Sequence, residues 1–102
     1  MSKPKLSIII PVKQTKADNR GSTRLDECLK SLDAQTVAGQ FEVIVSDTDS
    51  SPSFQKDHAA TAKAHKAKYV FTKTGQAWNI SRTRNIGIRS ARADFVMVTD
   101  AE

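Results

Sequence analysis

The chain has 102 residues, of which 38% are hydrophobic and 26% charged, a composition typical of one soluble globular domain spanning residues 1–102. A single cysteine, Cys28, excludes an intramolecular disulfide and favours a reducing, cytoplasmic location. The longest apolar run, residues 6–12, is too short to span a bilayer, so no transmembrane segment is predicted. A net charge of +5 favours anionic partners, which include phosphates, nucleic acid and acidic membrane surfaces.

Hydrophobic periodicity predicts strands that alternate with helices. The predicted strands are residues 6–12, 41–46, 69–71 and 95–99, and the predicted helices are residues 24–34, 52–66 and 81–92. This β-α-β-α-β-α-β order implies right-handed crossovers and a parallel sheet. We therefore predict an α/β, three-layer α/β/α Rossmann-like fold. Strand order 3-2-1-4 would place the first and fourth strands together at the switch point.

Five residues carry specific structural predictions. Thr23 fits the first position of a capping box for the first helix. Cys28 lies on the apolar face of that helix and is predicted to be a buried structural thiol. His58 and His65 are predicted on a solvated helix surface, since no third metal ligand stands near them. Gly87, inside the third helix, predicts close packing against a neighbouring element.

The last stretch, residues 95–102, joins four apolar residues and a threonine to two carboxylates, Asp100 and Glu102. Such a run is typical of a strand buried on both faces of a parallel sheet. In open α/β sheets the ligand crevice lies beyond the carboxyl ends of the strands. The two carboxylates can therefore ligate a hard cation, Mn²⁺ or Mg²⁺, which in turn can hold a diphosphate. The alternative is a solvated chain end.

Three groups of residues stand at the carboxyl ends of predicted strands, at residues 11–13, 47–50 and 100–102. With strand order 3-2-1-4, one crevice would collect all three groups. Asp47 could then accept a hydrogen bond from a base N–H, and the arginine-bearing third helix could neutralise phosphate. The alternatives are a turn or cap acid for Asp47 and a solvated basic face for that helix. The basic loop at residues 13–22 could close over a ligand or serve only as a connector.

Five stretches carry a family signature in their order and spacing. They are Ser7-Ile8-Ile9-Ile10-Pro11-Val12; Leu25 with Cys28-Leu29-Lys30-Ser31-Leu32 and Gln35-Thr36; Glu42-Val43-Ile44-Val45-Ser46-Asp47 continuing to Ser50; Arg84-Asn85-Ile86-Gly87-Ile88 with Ala91; and Asp94-Phe95-Val96-Met97-Val98-Thr99-Asp100-Ala101-Glu102. Through them the chain resembles the amino-terminal half of the family 2 glycosyltransferases, which have the GT-A fold.

The resemblance implies a nucleotide site and a metal site, with Mn²⁺ or Mg²⁺ as cofactor and a nucleotide-sugar donor, commonly a UDP-sugar. In the family, residues at the end of the first strand line the nucleotide pocket, and an acid after the second strand recognises the base. The nucleotide-binding residues implied are Pro11, Val12, Lys13, Asp47, Arg84, Asn85 and Asp100, and the metal ligands implied are Asp100 and Glu102.

Four departures from the family pattern are visible. The loop from Lys13 to Thr23 is longer than usual and lacks the common early asparagine. The usual Asp-Asp-Gly-Ser after the second strand is Asp47-Thr48-Asp49-Ser50 here. The metal motif ends in Glu102, where the family has an aspartate. The family's acceptor-binding half and catalytic base lie downstream of residue 102, so we expect a truncated domain and nominate no catalytic residue.

Three functional hypotheses follow. The first is the donor-binding half of a glycosyltransferase, which in the complete enzyme transfers a sugar to an acceptor hydroxyl. The second is a non-catalytic nucleotide-binding or assembly module that forms a homodimer through exposed sheet edge and apolar surface. The third is nucleic-acid binding through the basic helix. It is disfavoured, and no specific nucleic acid partner is expected, because Trp78 and Tyr69 lack the spacing of a stacking platform.

Overall fold

The computed structural model describes residues 4–14, 21–33 and 40–99. Within them the chain alternates between strand and helix: β1 (Leu6–Val12), α1 (Gly21–Asp33), β2 (Phe41–Thr48), α2 (Pro52–Ala64), β3 (Lys68–Thr72), α3 (Ile80–Arg89) and β4 (Phe95–Val98). The strands are all parallel and lie in the order β3-β2-β1-β4. The predicted α/β Rossmann-like sheet and its strand order are therefore confirmed.

Helices cover both faces of this sheet. Side chains of α1 and α2 form a buried apolar cluster with β1 and β2, whose members are Ile10, Val12, Leu25, Leu29, Val45 and Ala62. Ile9 points the other way and meets Gly87 of α3. Because successive strand residues alternate between faces, α1 and α2 lie on one face and α3 lies on the other. This is the predicted three-layer arrangement.

The prediction for Gly87 is confirmed by the distance between α3 and the sheet. A Cβ atom at this position would lie 2.5 Å from Ile9 Cγ2 and 3.2 Å from Ser46 Cβ. Ser46 Oγ also donates a hydrogen bond of 2.8 Å to the carbonyl oxygen of Thr83, one helical turn earlier. The absence of a side chain at residue 87 therefore lets the α3 backbone lie directly on β1 and β2.

Hydrogen bonds at the amino end of the sheet hold the turn between α3 and β4. Ser7 Oγ donates to Glu42 Oε2 at 2.5 Å, and the same oxygen accepts from the Arg92 backbone N–H at 2.6 Å. The Ala93 N–H donates to Ser7 Oγ at 3.1 Å. Since Ser7 lies on β1 and Glu42 on β2, these bonds set the point at which the chain enters β4.

The predicted burial of the last strand on both faces is wrong. Phe95 is 74% exposed, Met97 is 44% exposed and Val96 is 38% exposed. The reason is the position of β4 at the edge of the sheet, where β1 is the only strand among the described residues that pairs with it. Its apolar sequence resembles that of a central strand, but its surroundings are those of an edge.

The predicted surface location of the two histidines is also wrong. His58 is 2% exposed, because it lies one turn before the buried Ala62 on the face of α2 that packs inward. The His65 side chain is 11% exposed, and its Nε2 lies 2.7 Å from Asp26 Oδ1 of α1. The alanine-rich sequence of α2 has too weak an apolar pattern to show which face is buried.

Two further details concern α1. The helix begins at Gly21, so Thr23 lies in its first turn rather than at the predicted capping position. Cys28 is half-buried against the apolar cluster, and burial raises the pKa of its thiol, as expected of a structural cysteine.

None of the described helices is long and apolar enough to cross a membrane.

Candidate functional site

The ends of β1 and β2 lie side by side at the carboxyl edge of the sheet. Pro11 pairs with Ser46, and Val12 pairs with Asp47. The structure therefore brings together predicted site residues from two strands. On the other side of β1, the Thr99 N–H donates to the carbonyl oxygen of Ile9 at 3.0 Å, which continues the pairing of β4 towards the same edge. The predicted metal ligands, Asp100 and Glu102, lie outside the described residues.

Asp47 is fully buried, at 0% exposure. Its Oδ2 accepts a hydrogen bond of 2.6 Å from the Tyr69 hydroxyl, and its Oδ1 accepts one of 3.3 Å from the Ser50 backbone N–H. Burial, followed by the hydrogen bond to Asp47 and its charge, raises the pKa of Tyr69. The carboxylate thus joins β2 to β3. Each carboxylate oxygen can accept a further hydrogen bond. Recognition of a nucleotide base by Asp47 therefore stays a prediction.

A buried imidazole lies within electrostatic reach of this carboxylate. His58 has no hydrogen-bond partner on either ring nitrogen among the described residues. Burial lowers the pKa of His58, and the negative charges of Asp47 and Asp57 oppose that shift. The balance favours the neutral form of this buried ring.

The segment after β1 is fixed to the segment after β2 by two hydrogen bonds. The Gln14 N–H donates to Ser50 Oγ at 2.8 Å, and the Ser51 N–H donates to the Gln14 carbonyl oxygen at 3.0 Å. Lys13, a predicted nucleotide-binding residue, lies between Val12 at the end of β1 and Gln14, which makes these hydrogen bonds. The two hydrogen bonds of Gln14 therefore hold the backbone next to Lys13 in place.

Asp49 joins the end of β2 to the segment after β3. Its carboxylate accepts hydrogen bonds from the Thr74 N–H at 2.7 Å, from the Thr74 hydroxyl, and from the Gly75 N–H at 3.2 Å. These bonds, with the Thr74 hydroxyl contributing most, hold the pKa of Asp49 below its usual range, and the charge of Lys13 acts in the same direction. The backbone of Asp49 has φ 63°, a left-handed value.

Sequence reasoning did not identify this role of Asp49. The available signal was its place in Asp47-Thr48-Asp49-Ser50, where the family has a glycine. A glycine position that tolerates aspartate indicates a left-handed residue, because aspartate is one of the few other side chains that adopt this conformation.

The third helix begins at the same edge, with Asn79 as its cap. Asn79 Oδ1 accepts a hydrogen bond of 3.0 Å from the Arg82 N–H. In the next turn the Thr83 hydroxyl lies 2.8 Å from the Thr48 hydroxyl at the end of β2. The predicted nucleotide contacts Arg84 and Asn85 follow directly; Arg84 is half-buried and Asn85 is exposed.

Arg84 and Asp47 do not share a face of the sheet. Asp47 points to the same side as Val45, into the layer of α1 and α2, whereas α3 covers the other face. A ligand that touches both must lie across the carboxyl edge. Among residues 4–14, 21–33 and 40–99, no group of three or more histidine, cysteine or acidic side chains is arranged to hold a metal ion.

Comparison with solved structures supports the GT-A fold. One match is a mannosyltransferase, PcManGT from Pyrobaculum calidifontis, solved in complex with GDP-Man and Mn²⁺. The TM-score is 0.71 at 19% sequence identity, over 98% of this chain and 28% of that one. The chain therefore spans about a quarter of the mannosyltransferase.

No curated protein sequence shows significant similarity to the chain. The sequence model of glycosyl transferase family 2, in contrast, matches residues 7–102. That match extends from the first apolar run to the final carboxylates. The chain accordingly belongs to glycosyl transferase family 2.

Proposed function

We propose that the chain is the donor-binding part of a glycosyltransferase and binds a nucleoside-diphosphate sugar at the carboxyl edge of β1 and β2. The observation that carries this proposal is the pairing of Val12 with Asp47 in a chain of this family. It brings the ends of two strands together where open α/β sheets bind ligands. GDP-Man in the mannosyltransferase supports the class of donor, and UDP is the nucleotide that the resemblance favours.

Each predicted nucleotide residue has a role in this proposal. Pro11 and Val12 form the floor of the pocket, and Lys13 contributes positive charge to the diphosphate. Arg84 and Asn85, near the beginning of α3, approach the nucleotide from the other face of the sheet. Asp47 lies at the end of the site that binds the nucleotide base, and its remaining lone pairs accept hydrogen bonds from that base.

A divalent metal belongs to the same proposal. Asp100 and Glu102 offer carboxylate oxygens, the donor set that Mn²⁺ and Mg²⁺ prefer, and the chain reaches Asp100 directly from Thr99 at the carboxyl edge. Such a metal supplies Lewis-acid stabilisation of the departing diphosphate. Sugar transfer to an acceptor hydroxyl is proposed for the longer enzyme, whose general base is not among the residues assigned here.

Calorimetric titration of the folded chain with UDP and with GDP, each with and without Mn²⁺, tests this function. We expect metal-dependent binding of at least one nucleotide and its loss in Asp100→Ala. The matched control is Asp94→Ala, which removes an exposed acid at the opposite end of the same strand. A chain that is folded by circular dichroism and binds neither nucleotide would sink the proposal.

One observation favours a second candidate, a non-catalytic assembly module. The side chains of Phe95, Val96 and Met97 form an exposed apolar stretch on β4, and the outer edge of β4 has no paired strand among the described residues. A second copy of the chain could pair along this edge. Sedimentation would then show a mass that rises with concentration, and Met97→Lys would give a monomer. A monomeric wild type at all concentrations contradicts this candidate.

A further inference from the structure

Asp49 adopts a backbone conformation that its side chain does not favour. With φ 63° it occupies the left-handed region, which glycine enters without steric cost and which the family's usual glycine would suit. An aspartate there needs a local polar contact to compensate. The compensation is visible in the hydrogen bonds that its carboxylate accepts.

Those hydrogen bonds join two segments that are distant in sequence. The Asp49 carboxylate accepts from the Thr74 N–H, the Thr74 hydroxyl and the Gly75 N–H, across 25 and 26 positions of the chain. Gly75 is itself left-handed, with φ 65°. The Asp49 N–H also donates to the carbonyl oxygen of Thr72 at 3.1 Å, which extends the pairing of β2 with β3 by one residue. Beyond this backbone hydrogen bond, the Asp49 carboxylate joins the end of β2 to the segment after β3.

The connected segment crosses the edge at which we place the donor. Residues 73–79 run from the end of β3 to the beginning of α3, and α3 packs on β1 and β2. The segment therefore crosses the carboxyl edge next to β2. It carries the exposed side chains of Lys73 and Trp78, the latter at 45% exposure. Asp49 also lies within electrostatic reach of Lys13 at the end of β1.

We propose that Asp49 is a positioning residue for the donor site. Through Thr74 and Gly75 it sets the place of residues 73–79 and of the first turn of α3, and so sets the affinity for a nucleoside diphosphate. Asp49 does not touch the donor. This inference rests on the donor-binding function proposed above and adds to it a residue that stands where the family motif has a glycine.

Trp78 provides a direct probe, since it is the only tryptophan in the chain and lies in the connected segment. Its fluorescence anisotropy reports the order of residues 73–79, and its intensity during titration with UDP or GDP in the presence of Mn²⁺ reports binding. Three variants are compared with the wild type. They are Asp49→Gly, Asp49→Asn and, as a matched control on α1, Glu27→Gln.

We expect Asp49→Gly to lower the anisotropy of Trp78 and to raise the Kd of the nucleotide several-fold. The glycine suits the left-handed backbone, so this variant separates loss of the carboxylate from loss of the fold. Asp49→Asn retains an acceptor oxygen and tolerance of φ 63°, and should restore most of both signals. A merely structural residue would change the denaturation midpoint without this rescue of affinity. Glu27→Gln should match the wild type.

The outcomes separate the two proposals. If the wild type binds a nucleotide and Asp49→Gly binds it with unchanged Kd and unchanged Trp78 anisotropy, the inference about Asp49 is overturned and the donor site stands. If the folded wild type binds neither UDP nor GDP, the donor function fails and the inference fails with it. A raised Kd that Asp49→Asn does not restore also overturns the positioning role.

Discussion

On the face of the sheet that α1 and α2 cover, the buried side chains are mainly aliphatic, whereas on the face that α3 covers they include hydroxyls and a glycine. Leu25, Leu29 and Val45 represent the first face, each at most 1% exposed. Thr83 and Gly87 represent the second. The first face is held by apolar area removed from water, and the second by close approach of the α3 backbone to β1 and β2.

This difference predicts opposite sensitivities. An aliphatic layer loses stability when a side chain is shortened, because the space left behind is not refilled. A layer in close backbone contact loses stability when a side chain is enlarged, because the strands cannot move away. The α3 face also orients the beginning of α3 at the proposed donor site, through the hydrogen bonds of Thr83 to Ser46 and Thr48.

The largest effect is expected on the aliphatic face. Leu29→Ala should lower the free energy of unfolding by about 2–5 kcal/mol, the range for truncation of a buried leucine. Leu29 is 1% exposed within the apolar cluster. Urea denaturation followed by circular dichroism measures the change. Ile88→Ala is the control: Ile88 is 39% exposed on α3, so its truncation should cost far less. Equal losses in the two variants would contradict the comparison.

A smaller effect, from enlargement, is expected on the α3 face. Gly87→Ala would place a methyl group 2.5 Å from Ile9 Cγ2. Overpacking costs about 1–3 kcal/mol, and the better helix propensity of alanine returns about 1 kcal/mol of this, which leaves a net loss of about 0–2 kcal/mol. Without the close contact the same change would stabilise α3, so the sign of the change in unfolding free energy is decisive.

The partner of this contact can be tested separately. Ile9→Leu removes the γ2 methyl group that the new Cβ would meet, so the double variant with Gly87→Ala should lose less stability than the two single losses added together. Strict additivity would show that Ile9 does not limit the approach of α3. In that case Ser46 Cβ, the other atom close to the new Cβ, becomes the candidate for the contact that limits the approach of α3.

Much of this architecture could be predicted from the sequence, because local patterns determine it. The apolar run of β1, the strand ends and the glycine inside α3 each report their own surroundings, and they predicted the elements and the close packing of Gly87. The strand order is a fold-level hypothesis, since the alternation of strands and helices implies only a parallel sheet. The exposure of Phe95 could not be read in this way. A strand's own residues do not show how many neighbours it will have.

The candidate site could also be predicted only in part. The meeting of Val12 with Asp47 follows from strand order and was expected. Asp47 is bound by Tyr69 from β3, and Asp49 is bound by Thr74; both are contacts between segments more than twenty residues apart. Such pairs carry no periodic signal. The assignments of Asp100 and Glu102 remain predictions outside the described residues.

Asp47 and Tyr69 form a polar pair on the aliphatic face, and the smallest effect is expected there. Tyr69 is the only tyrosine in the chain, so the ultraviolet absorbance of tyrosinate reports it alone. Burial, then the hydrogen bond to Asp47 and its negative charge, raise its pKa above the ordinary value of 10.0. The native protein should therefore show no tyrosinate in the pH range in which the unfolded chain ionises.

The sign of the stability change follows from proton binding. Above the unfolded pKa of 10.0, the unfolded state has lost the Tyr69 proton while the native state retains it, so the free energy of unfolding falls as pH rises. Below that pH the Tyr69 contribution is constant. Asp47→Asn removes the charge and weakens the hydrogen bond, so tyrosinate should appear at lower pH, closer to the ordinary value, in a variant that circular dichroism shows to be folded. Asp57→Asn on α2, an exposed position, is the control and should leave the titration unchanged. Ionisation of native wild-type Tyr69 at its ordinary pKa would show that the hydroxyl is not held by Asp47.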